Sequence, residues 1–160
     1  MIPKFRGKST AEENKGRWMY GNLVFDRGLA IIVSGIDEAT CEYIAFEDFC
    51  SVDIDTVGQS TGLFDKNGKE IFEGDIIATN SFACVVSFGK YDYFEDDGIK
   101  ITGIGFYLGY LNVEPATYSP FETPFLENCE VLGNIYENEL DLIMYEKWKS
   151  ENPELMEVKE

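Results

Sequence analysis

The stretch from Gly62 to Ile77, GLFDKNGKEIFEGDII, constrains the fold more than any other part of the chain. Two apolar runs flank Asn67-Gly68, a pair that tolerates positive φ at the centre of a tight hairpin turn. Glu73-Gly74-Asp75 then precedes Ile76-Ile77. Gly74 is expected to bend the backbone where a long strand begins, with Asp75 accepting bonds from nearby N–H groups. The stretch also has the acid density of a calcium loop, but its register is wrong. With Gly68 at the sixth position of an EF-hand loop, Leu63 falls at the first and Gly74 at the twelfth, and neither offers a side-chain oxygen. A turn between two strands is the reading that stands.

Period-two patterning extends this reading along the chain. RWMYGNLVF and LAIIVSGI read as two strands of a hairpin joined at Asp26-Arg27-Gly28. In the block that follows, Val52, Ile54 and Thr56 alternate with Asp53 and Asp55, which predicts a strand with both aspartates on one side. FACVVSFGKYDYF and IKITGIGFYLGYL predict two more strands around a turn at Glu95-Asp96-Asp97-Gly98, and Gly103, Gly105 and Gly109 allow the second to bulge or bend. VEPATYSPFETPF carries Pro115, Pro120 and Pro124 and is expected to be a surface loop. CEVLGNIYEN reads as a last strand. Helical spacing occurs only near the C-terminus, where Asn138 is placed to cap a helix carrying Leu140, Ile143, Met144 and Trp148 on one face, ended by Pro153. With 14% aromatic residues, the expected class is mainly β.

Charge and missing residue types narrow the chemistry. Thirteen basic against thirty acidic residues give a net charge of −17, which works against binding phosphate backbones or anionic lipid. Neither nucleic acid nor membrane is expected as a partner. A basic patch at Lys4, Arg6, Lys8, Lys15 and Arg17 is the one local exception. No run of apolar residues is long enough to span a bilayer, and a home in the cell interior is expected. Cys41, Cys50, Cys84 and Cys129 are scattered without a C-x-x-C pair and read as free thiols. Histidine is absent, which removes the commonest general base, the Ser-His and Cys-His pairs and the usual zinc ligand. Asp92, Glu95, Asp96 and Asp97 form the densest acidic cluster; a solvated turn is the favoured reading, with a divalent cation or a partner as the competing one. GIGFYLG is one residue too long for a dinucleotide fingerprint and is followed by no helix.

The motifs T-V-G-Q-x-T-G-L, D-K-N-G-K-x-I-x-E-G-D and G-N-I-Y-E-N, with KFRGK and RWMYGNLV ahead of them, together resemble the YopX family of phage and prophage proteins. The resemblance runs from Ile2 to about Leu140. It implies an N-terminal β-rich region at 1–58, an SH3-like small barrel at 59–137 and a tendency to self-associate, leaving 138–160 for the amphipathic helix and a charged tail. Gly58, Gln59, Gly62, Asn67, Gly68, Gly74, Asp75, Gly133 and Asn134 are the motif residues expected to be structural. The sequence departs from the family pattern where Asn138-Glu139-Leu140 replaces N-P-E-L. The family carries no established activity, so no catalytic, cofactor or metal residue is transferred. The expectation is a non-catalytic accessory protein acting through protein contacts as a homo-oligomer, with a host or phage protein as partner and no cofactor. Competing readings are an acidic decoy for a basic, nucleic-acid-binding host protein and a carboxylate enzyme dependent on a divalent metal.

Overall fold

A computed structural model describes residues 2–79, 81–111 and 113–137. The helix expected from Asn138 onward lies outside the described residues. The chain divides into two compact units, the first ending at Ser60 and the second starting at Thr61. Both are built from antiparallel strands, in keeping with the mainly β composition.

In the first unit, β1 (Phe5–Lys8), β2 (Trp18–Asp26), β3 (Leu29–Ala39) and β4 (Ile44–Val52) lie in the order β4-β3-β2-β1, and the start of β5 (Gly58–Phe64) pairs with β1. The β2–β3 turn falls at Arg27 and Gly28, whose φ values of 48° and 85° fit a two-residue hairpin loop. Ala30, Ile32 and Val52 are buried and packed by Phe5, Met19, Leu23 and Val57. The strand expected through Val52, Ile54 and Thr56 stops at Val52; Ile54–Thr56 is one turn of 3₁₀ helix. Asp53 starts that turn by accepting a bond from the Asp55 N–H, and Thr56 Oγ1 donates to the Asp53 carbonyl while accepting from Lys8 N–H. Asp53 and Asp55 therefore do not share a strand face. Short polar side chains that bond their own backbone compete with a ladder, and period two alone does not reveal it.

In the second unit, the end of β5 runs beside β6 (Glu70–Phe72), and β7 (Asp75–Ala78), β8 (Ala83–Phe94), β9 (Lys100–Tyr110), β10 (Tyr118–Ser119) and β11 (Glu130–Asn134) form a sheet in the order β10-β9-β8-β7-β11. Ile71, Ile77, Cys84, Val86, Leu108, Cys129 and Val131 make its core. The SH3-like barrel implied by the resemblance is not closed among the described residues, because β10 and β11 remain edges. Strand β10 has two residues and lies between Pro115 and Pro120, which cannot donate to a ladder. The proline tract also differs from the expected loop. It contains β10 and a short helix, α1 (Thr123–Asn128), with Pro124 in its first turn, where a missing N–H costs nothing.

The family motifs converge on β11. Asp65 is 6% exposed; its carboxylate accepts from the N–H groups of Asn67 and Lys69, at 2.8 and 2.9 Å, and from Val131 N–H at 2.9 Å. Gly68, at φ 79°, completes that turn. Buried Asp75 accepts from Phe72 N–H and lies opposite Asn134. Gly74 adopts φ 83° with the Tyr136 ring against it, and its carbonyl accepts from Ile135 N–H. Gly133 sits at a register shift in β11, and Asn134 Oδ1 accepts from Tyr136 N–H. Gly58 and Gln59 pair with Arg6 and Phe5, and Gly62 adopts φ 73° within β5.

Candidate functional site

Strands β8 and β9 form a long hairpin with Gly89 opposite Gly105. Their φ values, 147° and 142°, favour glycine on both strands at one level. Tyr91 lies opposite Gly103, and Tyr107 opposite Ser87, so in a flat ladder the two tyrosines would stand four residues apart, about 13 Å along the strands. Their ring centroids are instead 4.7 Å apart with planes at 20°. The two rings lean toward each other across the level of the glycine pair.

Glycines on the same face of β9 make room for the rings. A Cβ on Gly103 would come within 2.5 Å of the Tyr91 ring, and one on Gly109 would touch the Tyr118 ring at 3.7 Å. Tyr93 stacks on Tyr91 at 5.7 Å, and Tyr118 meets Tyr107 edge to face at 5.6 Å. Tyr93, Tyr91, Tyr107 and Tyr118 thus form one row on the sheet face opposite Leu108 and the core. Burial, and secondarily Tyr93, push the Tyr91 hydroxyl above the usual tyrosine range, so Tyr91 stays neutral at physiological pH.

The acidic cluster singled out in the sequence borders this row. A groove of about 570 Å³ is lined by Tyr93 and Tyr118, by Glu95, Asp96 and Asp97 from the β8–β9 turn, and by Glu122. A smaller one of about 270 Å³ runs over Tyr91, Tyr107 and Tyr118 between Lys90 and Asp92. Gly98 N–H donates to the Glu95 carbonyl, and Asp97 Oδ1 accepts from Ile99 N–H, so the run is the tight turn expected. Asp92 is engaged otherwise. It accepts from Lys100 at 2.8 Å and Thr102 at 2.6 Å, and those bonds hold its carboxyl below the usual range. No three Cys, Asp or Glu side chains gather as a metal cluster among the described residues. The sequence reading does not single out the four tyrosines. The available signal is the alternation Tyr91-x-Tyr93 and Gly103-x-Gly105-x-Tyr107-x-Gly109.

The remaining sequence candidates are placed elsewhere. Arg6 is buried, with its guanidinium 4.6 Å from the Trp18 ring centroid; Lys8 also lies over Trp18, and Lys4 over Tyr20. The core of the basic patch is therefore committed to aromatic packing within β1 and β2. All four cysteines are free: Cys41 is exposed, while Cys50, Cys84 and Cys129 are buried. Burial, and secondarily Cys129, push the Cys84 thiol up to about 12, which keeps it protonated and unreactive. No described helix is long and apolar enough to cross a membrane.

Comparisons with known proteins agree with this architecture. No curated protein matches the chain. Protein EF1440 from Enterococcus faecalis, a solved structure, superposes with a TM-score of 0.54 at 25% identity, covering 88% of this chain and 98% of that one. The model of the YopX protein family matches residues 4–141, the span that holds both sheets and the tyrosine row, and the chain belongs to that family.

Proposed function

We propose that this YopX protein is a non-catalytic accessory protein of phage or prophage origin that acts by binding another protein through the tyrosine row of its second unit. The observation that carries the reading is the row itself. Four partly exposed aromatic rings, held against one another with Tyr91 and Tyr118 seated on glycines, present contact area whose ordering cost is already met in the free protein. Aromatic anchors surrounded by polar groups are the usual composition of a protein-contact surface. The absence of histidine from the sequence and the protonated Cys84 favour contact over catalysis.

Self-association is part of the proposal and rests on a different element. The end of β4 is bridged to Ser9 at Val52, but from Ile44 to Phe49 it pairs only with β3 among the described residues and carries exposed Ile44, Phe46 and Phe49; such an open stretch of edge with apolar side chains is a template for a second strand.

Comparative affinity capture from host cells tests the contact reading. Wild-type protein should retain a defined partner that a Tyr93→Leu, Tyr118→Leu double variant of equal melting temperature releases. Identical captured sets from the two proteins would refute the groove as the contact site.

A further inference from the structure

We infer that the groove lined by both ends of the tyrosine row receives an extended, arginine-bearing segment of the partner. This rests on the protein-contact reading and names the chemistry of the occupant. Tyr93 and Tyr118, the two ends of the row, line the same groove as Glu95, Asp96, Asp97 and Glu122. Among the described residues no basic side chain pairs with these four carboxylates, whereas Asp92 has Lys100. The groove therefore combines open π faces with unneutralised anionic oxygens. That combination selects a cation which can stack and donate a fork of hydrogen bonds together. A guanidinium does both: it is planar, weakly hydrated and always charged, and it bonds carboxylates in pairs. An ammonium gives only the point charge. Within the first unit the chain already uses the same pairing, with Arg6 over Trp18. A nucleic-acid strand would also stack on tyrosines, but the carboxylates repel its phosphates. The net charge of −17 adds long-range steering toward a basic segment.

The full-length protein is titrated with a twelve-residue synthetic peptide carrying arginines spaced by Gly, Ser and Ala, followed by NMR of the tyrosine rings at moderate salt. Matched peptides replace arginine with lysine or with citrulline, which keeps the planar group without its charge. The arginine peptide should shift the Tyr93 and Tyr118 rings and bind about tenfold more tightly than the lysine peptide, with the citrulline peptide weakest. Tyr93→Leu with Tyr118→Leu should weaken binding about tenfold at unchanged net charge, while Tyr93→Phe, which keeps the π face, stays within about twofold. Glu95→Gln with Asp96→Asn and Asp97→Asn should weaken it as well. Equal binding of the arginine and lysine peptides, untouched by the leucine variants, would overturn the inference. So would ring shifts that appear on concentrating the free protein, which would put a second copy in the groove. If the arginine peptide fails while the leucine variants still lose the captured partner, the arginine occupant falls and the contact site stands. If capture is unchanged too, both fall.

Discussion

Asp65 illustrates how one side chain fixes the fold of the second unit. Its carboxylate joins the β5–β6 turn to β11, sixty-six residues away in sequence, through the bond to Val131 N–H. Burial works to raise its pKa, but the donors at Val131, Lys69 and Asn67 and the charge of Lys69 outweigh burial, so the folded value lies below the ordinary one. The sign follows. Stabilisation by Asp65 is present above the unfolded value of about 3.9 and is lost as pH falls through the lower folded value. Asp65→Asn places an amide where a buried N–H needs an acceptor and is expected to cost about 1–3 kcal/mol at neutral pH. In chemical denaturation the gap between wild type and variant should narrow as the pH drops through the folded value; a constant gap down to strong acid would show that ionisation of Asp65 contributes nothing. The turn was legible from Asn67-Gly68, but it centres on Lys66-Asn67, and only Gly68 of the expected pair takes a positive φ. The role of Asp65 was not legible, because two of its bonds are local and the third reaches β11 only in the folded chain.

Strands were legible where alternation coincided with turn chemistry, as at Arg27-Gly28 between β2 and β3 and at Glu95 to Gly98 between β8 and β9. Misreadings arose where a side chain or a proline replaces ladder bonds: Asp53 and Thr56 close a 3₁₀ turn, and Pro124 opens α1. Strand β9 shows a subtler limit. Its glycines announce a pliable strand in the sequence, but their use as seats for Tyr91 and Tyr118 depends on which residues stand opposite them. Gly103→Ala tests that use at the level of the element. The new Cβ meets the far end of the Tyr91 side chain, which can swing aside, so the cost is that of the lost ring contact, about 0.5–1.5 kcal/mol. The ring-current shifts that Tyr91 and Tyr107 impose on each other should vanish in aromatic NMR spectra while the backbone shifts of β8 stay close to wild type. Retention of the ring shifts would mean that the glycine is not what seats the ring.

At the scale of the whole molecule the charge of −17 opposes every encounter between two copies, while β4 offers Ile44, Phe46 and Phe49 along an edge that is open among the described residues. These effects respond oppositely to salt. Screening shortens the reach of the repulsion from about 30 Å at 0.01 M salt to about 8 Å at 0.15 M, and leaves apolar burial nearly unchanged. Self-association through β4 should therefore strengthen as salt rises, whereas docking of an arginine-bearing segment at the tyrosine row should weaken. Sedimentation velocity at micromolar concentration is expected to show a growing share of the larger species between low and moderate salt. Phe49→Asp adds a charge at a residue that is 58% exposed, so it should abolish that species while the melting temperature changes little. Binding of the arginine peptide should survive the same substitution, since Phe49 and the groove belong to different units. A strict monomer at both salt concentrations would refute self-association and leave the tyrosine row as the contact surface to test, whereas a larger species that persists in Phe49→Asp would move the self-contact away from β4.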